Sequence, residues 1–347
     1  MTAVPIRSAI LWDMVDGPMP RGLLGVGDPD IHLVDGAYTM FLGGFSTSFR
    51  NRLYRAVLPH GAEPHSTAWQ IDTDDRGRVR SLVADPPSGA WDGAGMHTPS
   101  YVPPANGQPA RMYYTGRATR KQFGPGSSYA IGALESLGSD WVRRDEPLIR
   151  GSEPRRSVLE PLVVVDRDRF VMWFQANPNE VGPRELPDYE MQVSESADGL
   201  SWSTPQVFAA ASEGFFDNAV ARTEQGWVMV LARGSNLHNT AGFPAQGLWI
   251  SHARELSADR HDWSAPVRLL DTDAARTPAW MGRGTYGPAI LPGRDGLIVF
   301  ATGTRDAPAW PTLNVQRLLR RQRPVAPSPF YLATGVLTFG PPNPPQA

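Results

Sequence analysis

The chain has 347 residues, of which 34 are Gly and 34 Pro, about a fifth of the total, against roughly 12% in average proteins. That excludes a helical bundle, while 41% hydrophobic content with 11 Trp, 13 Phe and 9 Tyr excludes intrinsic disorder. A formal net charge of −2 leaves no broad basic face for a nucleic-acid backbone, and the absence of cysteine rules out disulfides, thiolate zinc sites and cysteine nucleophiles.

All but one of the 33 basic residues are arginine, the exception being Lys121. No run of about 18 apolar residues exists to span a membrane, and residues 1–17 lack the apolar core of a secretory signal. The expected setting is therefore cytoplasmic and the expected partner a small molecule.

Five segments share one layout: a small or acidic residue, usually beside a proline, then a short apolar strand, a turn, and a second strand rich in aromatics. In chain order they occupy residues 27–44, 98–116, 159–174, 216–234 and 286–303. Each reads as a β-hairpin turning at Asp-Gly, Asn-Gly, Gln-Gly or Asp-Arg-Asp, the turns at Asn106 and Asp295 among them. The corresponding first-strand positions Asp28, Ser100, Glu160, Asp217 and Gly287 are 72, 60, 57 and 70 residues apart. After each hairpin a strand with small residues leads to a tryptophan. Trp141, Trp202 and Trp263 are spaced by 61 and 61, and Trp69 fills the role in the first repeat.

Four strands per repeat, five times over, predict an all-β fold: a five-bladed β-propeller of four-stranded antiparallel blades around a central funnel. One domain is expected over residues 1–347, with blades near 20–90, 91–152, 153–210, 211–275 and 276–340. Residues 330–339 are expected to supply the third strand of the last blade and residues 9–12 its fourth, closing the ring. Residues 312–323, with clustered Leu and Arg, read as a short helix.

Two motifs carry a resemblance. Asp28-Pro29-Asp30-Ile31 followed by Asp35-Gly36-Ala37-Tyr38, and Ser196-Ala197-Asp198-Gly199-Leu200-Ser201-Trp202, resemble the first-blade and outer-strand patterns of the five-bladed propeller glycosidases of glycoside hydrolase family 43 and its relatives in families 32, 62, 68 and 130. The resemblance implies three catalytic carboxyls: Asp28 as general base or nucleophile, Glu160 in the place of an orienting Asp, and Asp217 in the place of the general-acid Glu. The last two have exchanged chain length. Blade two has Ser100 where many members carry an acid, and blade five has Tyr286-Gly-Pro where a histidine often stands near a central ion.

Glycoside hydrolysis needs a proton donor at the leaving oxygen and a carboxylate that attacks or activates water. Three acids opening inner strands at one mouth satisfy that need, although acids at strand starts also cap turns. Asp30, two residues past Asp28, faces the same side and either shares the site or bonds a neighbouring blade. His32 continues that face and is more simply a core residue. His97 is placed at the rim as a substrate contact. Trp91, Trp280, Tyr286 and Phe216 precede inner strands and stack on a ligand or pack a blade. Arg155, Arg156 and Arg283 precede inner strands as well, and either bind a ligand anion or bridge to pocket acids. Ser100 and Asn218 complete the candidate substrate contacts.

No phosphate-binding loop, His-Glu-x-x-His or Gly-x-Ser-x-Gly motif occurs, and Gly25-Val26-Gly27 opens a strand where a dinucleotide fingerprint would open a helix. No cofactor or metal site is expected from motifs, and only the family scaffold leaves room for a central structural ion. Three functions stay open: a hydrolase of a small glycoside or oligosaccharide, a propeller redirected to non-hydrolytic acid–base work on another polyoxygenated metabolite, and a carbohydrate-binding propeller.

Overall fold

The computed structural model describes residues 5–105, 107–121, 124, 126–138, 140–178, 186, 188–237, 239–274, 277–293, 296–305, 309–321, 324–325 and 331–340. The turn residues Asn106 and Asp295, and Phe330 at the start of the predicted last strand, lie outside them.

The strands follow the predicted repeat. After β1 (Arg7–Asp13) comes a unit of β2 (Leu23–Val34), β3 (Ala37–Ser46), β4 (Asn51–Val57) and β5 (Gln70–Ile71). The second unit is β6 (Gly95–Val102), β7 (Arg111–Arg117) and β8 (Tyr129–Leu137), with β9 (Asp140–Arg143) and β10 (Ile149–Arg150) both pairing with β8. The third is β11 (Ser157–Asp166), β12 (Arg169–Asn177), β13 (Glu190–Ser196) and β14 (Gln206–Ala209). The fourth is β15 (Asp217–Thr223), β16 (Gly226–Ala232), β17 (Gly247–Ala253) and β18 (Val267–Asp271). The fifth is β19 (Thr285–Gly293), β20 (Gly296–Arg305) and β21 (Tyr331–Phe339), with the helix α1 (Trp310–Leu319) between the last two.

Each unit is antiparallel in sequence order, and one parallel pair, Asn51 with Gly95, joins the first two units into a nine-stranded sheet. The fifth unit completes itself with β1, which runs antiparallel to β21 from Arg7 opposite Thr338 to Asp13 opposite Ala333. The ends of the chain thus share a sheet. The innermost strands touch in cyclic order, β2 to β6, β11, β15, β19 and back to β2.

The local reasons are readable. At the first hairpin Asp35 and Gly36 both have positive φ, 50° and 79°, the geometry that matches the twist of flanking strands. Second strands such as β7 are buried along their whole length, because a sheet lies against each face. The cores therefore form between units: Trp173 and Phe208 of the third meet Trp249 and Trp263 of the fourth.

Trp141 lies on β9, but Trp202 and Trp263 sit in the turns just before β14 and β18. The Ser-x-Asp-Gly motif is such a turn. Asp198 accepts the backbone N–H groups of Leu200 and Ser201 at 2.7 Å each, and these bonds hold its carboxyl well below the usual range. Among the described residues no helix is long and apolar enough to cross a membrane.

Candidate active site

Four of the five inner strands carry a bulge at the same point. The register slips between Gly27 and Asp30, His97 and Ser100, Leu159 and Leu162, and Tyr286 and Ala289. At each slip one residue has positive φ: Asp28 at 50°, Thr98 at 50°, Glu160 at 56° and Gly287 at 53°. A proline follows each. The left-handed conformation costs a non-glycine residue on the order of 1 kcal/mol and persists only where the surroundings impose it. A bulge releases one N–H from the ladder and re-aims a side chain, and the proline has no N–H to satisfy.

The released N–H groups are taken up by the neighbouring unit. Asp28 N–H donates to Thr302 Oγ1 at 2.7 Å, and Glu160 N–H to Thr115 Oγ1 at 2.8 Å. The fifth inner strand, β15, is regular, with Asp217 directly opposite Ala232. Ala232 offers no hydroxyl, and Asp217 Oδ2 itself accepts the Gly287 N–H at 2.9 Å.

This geometry corrects one alignment. The counterpart of Asp28 in the second unit is Thr98, and Ser100 matches Asp30, because both strands carry the same bulge, at Asp28-Pro29 and at Thr98-Pro99. Ser100 Oγ accepts the Val163 N–H at 2.9 Å, and Asp30 accepts the Tyr101 N–H while bonding His32 Nε2 at 2.9 Å. Asp30 and Ser100 are ties between adjacent inner strands.

The three acids converge. The Asp28 carboxyl lies between Gly43 and Gly287, where a Cβ would come within 3.2 Å and 2.9 Å of its oxygens. The Thr98 hydroxyl acts on the Asp28 and Glu160 carboxyls, and the Glu160 and Asp217 carboxyls act on each other. Asp28 Oδ1 and Glu160 Oε2 are buried without a protein partner. Burial pushes Asp28 up to about 7, with the Thr98 bond opposing. Burial and then repulsion from the other acids push Glu160 and Asp217 well above the usual carboxylate range. All three carboxyls are thus raised, Asp28 to about 7, and such a crowded, buried set is the arrangement by which one acid keeps a proton while another serves as base.

His97 joins this group. Burial and the nearby Arg117 guanidinium push it down to about 3, so it is neutral, and its 3.8 Å approach to Glu160 Oε1 is no ion pair. Its Nδ1 lies 2.8 Å from Thr98 Oγ1. Tyr129, Tyr189 and Tyr286 complete the surround. Burial raises all three phenols, Tyr129 to about 12, and the acids add to the rise. Phe216 meets Tyr189 edge-on at 4.6 Å. Tyr129, Tyr189, Arg117 and the threonines were not singled out in the sequence, though the repeated Thr-Gly closing β7 and β20 was a visible signal.

A cavity of about 300 Å³ runs along the axis, with Asp28, Glu160 and Asp217 among its walls and Asn218, Ile31 and Ile290 beside them. Asn218 is buried, with its Nδ2 unpartnered. Asp28, His97 and Glu160 each bring a ligand atom within 4.8 Å of the others, and the two unpartnered oxygens suit a small cation, which would hold the carboxyls ionised.

The other predicted contacts lie elsewhere. Trp91 packs where Gly116 and Gly132 leave room, and Trp280 where Gly303 and Gly335 do; a Cβ at any of the four would strike the indole. Both rings are blade packing, and Trp91 also donates to Asp145 O at 2.9 Å. Arg155 pairs with Asp188 and Glu190, and Arg156 with Glu153, none of them pocket acids. Arg283 donates its backbone N–H to Thr304 O at 2.8 Å.

The sheets and their order are the fold of propeller glycosidases like those of family 43. Solved structures with this fold are similar over nearly the whole chain. They include an α-L-arabinofuranosidase from Lactobacillus brevis (11% identity, TM-score 0.57, 97% of each chain), a thermostable family-43 glycoside hydrolase (12%, 0.56, 97% of this chain and 98% of that one) and the catalytic domain of a GH62 α-L-arabinofuranosidase from Coprinopsis cinerea (12%, 0.55, 97% of each). No family model and no curated protein matches the sequence.

Proposed function

We propose that the chain is a single five-bladed propeller, its blades falling as the sequence predicts, that hydrolyses a small glycoside in the cytoplasm. The observation that carries this reading is the convergence of Asp28, Glu160 and Asp217 from three inner strands on one buried, hydrogen-bonded set. Asp217 gives its proton to the glycosidic oxygen as the bond to the sugar breaks. The carboxylate left behind accepts from the Gly287 N–H and from the Glu160 carboxyl, two donors already in place. Asp28, raised to about 7, takes a proton from the water that adds to the sugar carbon, or attacks that carbon itself. Glu160 holds its proton throughout and orients Asp217. Each acid–base role supports roughly 10²–10⁴-fold in rate.

A second reading is favoured by one feature, the longer arm at Glu160 and the shorter at Asp217. A displaced proton donor suits cyclisation, dehydration or rearrangement of a polyoxygenated metabolite. A panel of aryl glycosides, α and β, pyranosides and furanosides, separates the two. Release of the aryl alcohol from at least one member, lost in Asp28→Asn, supports hydrolysis. No turnover of any member contradicts it.

A further inference from the structure

The segment after β16 presents an arginine that the carboxyl set does not use. Arg233 directly follows the strand that pairs with Asp217, and the next residue, Gly234, lies against Phe216, where a Cβ would sit 3.6 Å from that side chain. The position is thus on the same mouth as the three acids. The guanidinium carbon lies 4.3 Å from the Trp249 ring centre and 5.0 Å from that of Phe215, two rings that meet at 5.8 Å. Contact with the two rings holds the group, and a guanidinium presents its N–H donors in its own plane, where a planar acceptor can meet them. Among the described residues none of those donors has a partner, and Nε is buried without one. Two other arginines near the ends of strands are engaged: Arg155, before β11, with Asp188 and Glu190, and Arg305, at the end of β20, with Asp13 and Asp16. Arg268, 5.3 Å from the same Trp249 ring, is tied to Asp271 and Asp273. Glu213, the acid whose charge Arg233 feels, faces Arg260 at 3.9 Å.

The two rings return part of the desolvation of this half-buried guanidinium, and an anion at its N–H donors would complete it. We infer that Arg233 receives a carboxylate of the ligand, so that the substrate is an acidic sugar derivative of the uronate type. This rests on the glycoside reading above. A planar fork matches a carboxylate with two parallel bonds, which a neutral sugar hydroxyl cannot supply.

The test is calorimetric titration of the full chain with D-glucuronate and D-galacturonate against D-glucose and D-galactose, and with sulfate as a non-planar anion. The wild type is expected to bind one uronate at least about tenfold more tightly than its neutral counterpart and than sulfate. Arg233→Met is expected to level that difference while leaving neutral-sugar binding unchanged. Arg233→Gln, checked for folding by circular dichroism, serves if the Met variant does not fold. Equal binding of acid and neutral sugars, sulfate binding as tightly as the uronate, or a preference that survives both variants overturns the inference alone. Failure of every sugar to bind overturns it together with the glycoside reading.

Discussion

The Gly287 N–H donates to Asp217 Oδ2 at 2.9 Å, so the one regular inner strand uses its acid to clasp the bulge of the next. Asp217 is structural and chemical at once. An asparagine keeps an acceptor for Gly287, whereas alanine leaves a buried N–H unmet, at a cost of about 1–3 kcal/mol. Asp217→Asn is expected to melt within a few degrees of wild type and Asp217→Ala clearly lower, while both lose turnover of glycosides whose leaving group needs a proton. Melting curves that place the two variants together would show that the clasp contributes nothing.

Asp28 sits at about 7 in the folded chain against an ordinary 3.8. Between those values the folded chain keeps a proton that the unfolded chain has lost. This group's contribution to stability therefore falls as pH rises from about 4 to about 7 and is level above. Asp28→Asn removes that slope. After chelation of any cation, the variant is expected to match wild type near pH 4 and to melt several degrees higher near pH 8, although inactive. A difference in melting temperature that does not change with pH would contradict the burial of this charge.

The Glu160 and Asp217 carboxyls act on each other across strands β11 and β15, so exchanging their lengths together preserves the reach that each single change spoils. Glu160→Asp and Asp217→Glu are each expected to lower activity by about 100-fold, the scale of an ångström's misplacement. The double variant is expected to recover part of it. Simple additivity of the two losses in a double-mutant cycle would mean that the two carboxyls do not act as a pair.

Trp91 and Trp280 fill slots left by glycines. Alanine at either is expected to cost about 3–5 kcal/mol, seen as a large drop in melting temperature with the KM of surviving enzyme unchanged. A raised KM at unchanged stability would return them to the ligand site.

The architecture was legible because its signals are local: Asp35-Gly36 makes its turn from two residues, and the Xaa-Pro steps at Asp28, Glu160 and Gly287 mark the bulges without reference to partners. The closing of the last sheet by residues 9–12 followed from counting strands. The alignment of Ser100 with Asp28 failed because it followed side-chain polarity past the Thr98-Pro99 step, which carries the same bulge as Asp28-Pro29. Trp91 and Trp280 misled because their partners Gly116, Gly132, Gly303 and Gly335 lie on other strands, and a glycine slot is a property of the assembled sheet. Tyr129 and Tyr189, 60 residues apart, stand at the start of the third strands of their units, a repeat hidden by the differing residues around them. Arg117 ends β7 with nothing in its neighbourhood to distinguish it from the chain's other arginines.

The central claim is that Asp217 protonates the leaving oxygen while Asp28 serves the water or the sugar carbon. Its most direct test is hydrolysis of one glycoside series whose leaving groups differ in acidity, compared among wild type, Asp28→Asn and Asp217→Asn. An acidic phenol needs no proton to depart. Asp217→Asn is therefore expected to turn over the dinitrophenyl glycoside nearly as fast as wild type and to lose about 10²–10⁴-fold on the methyl glycoside, while Asp28→Asn is inactive on both. Equal losses in Asp217→Asn across the whole series, or activity retained in Asp28→Asn, would contradict the assignment.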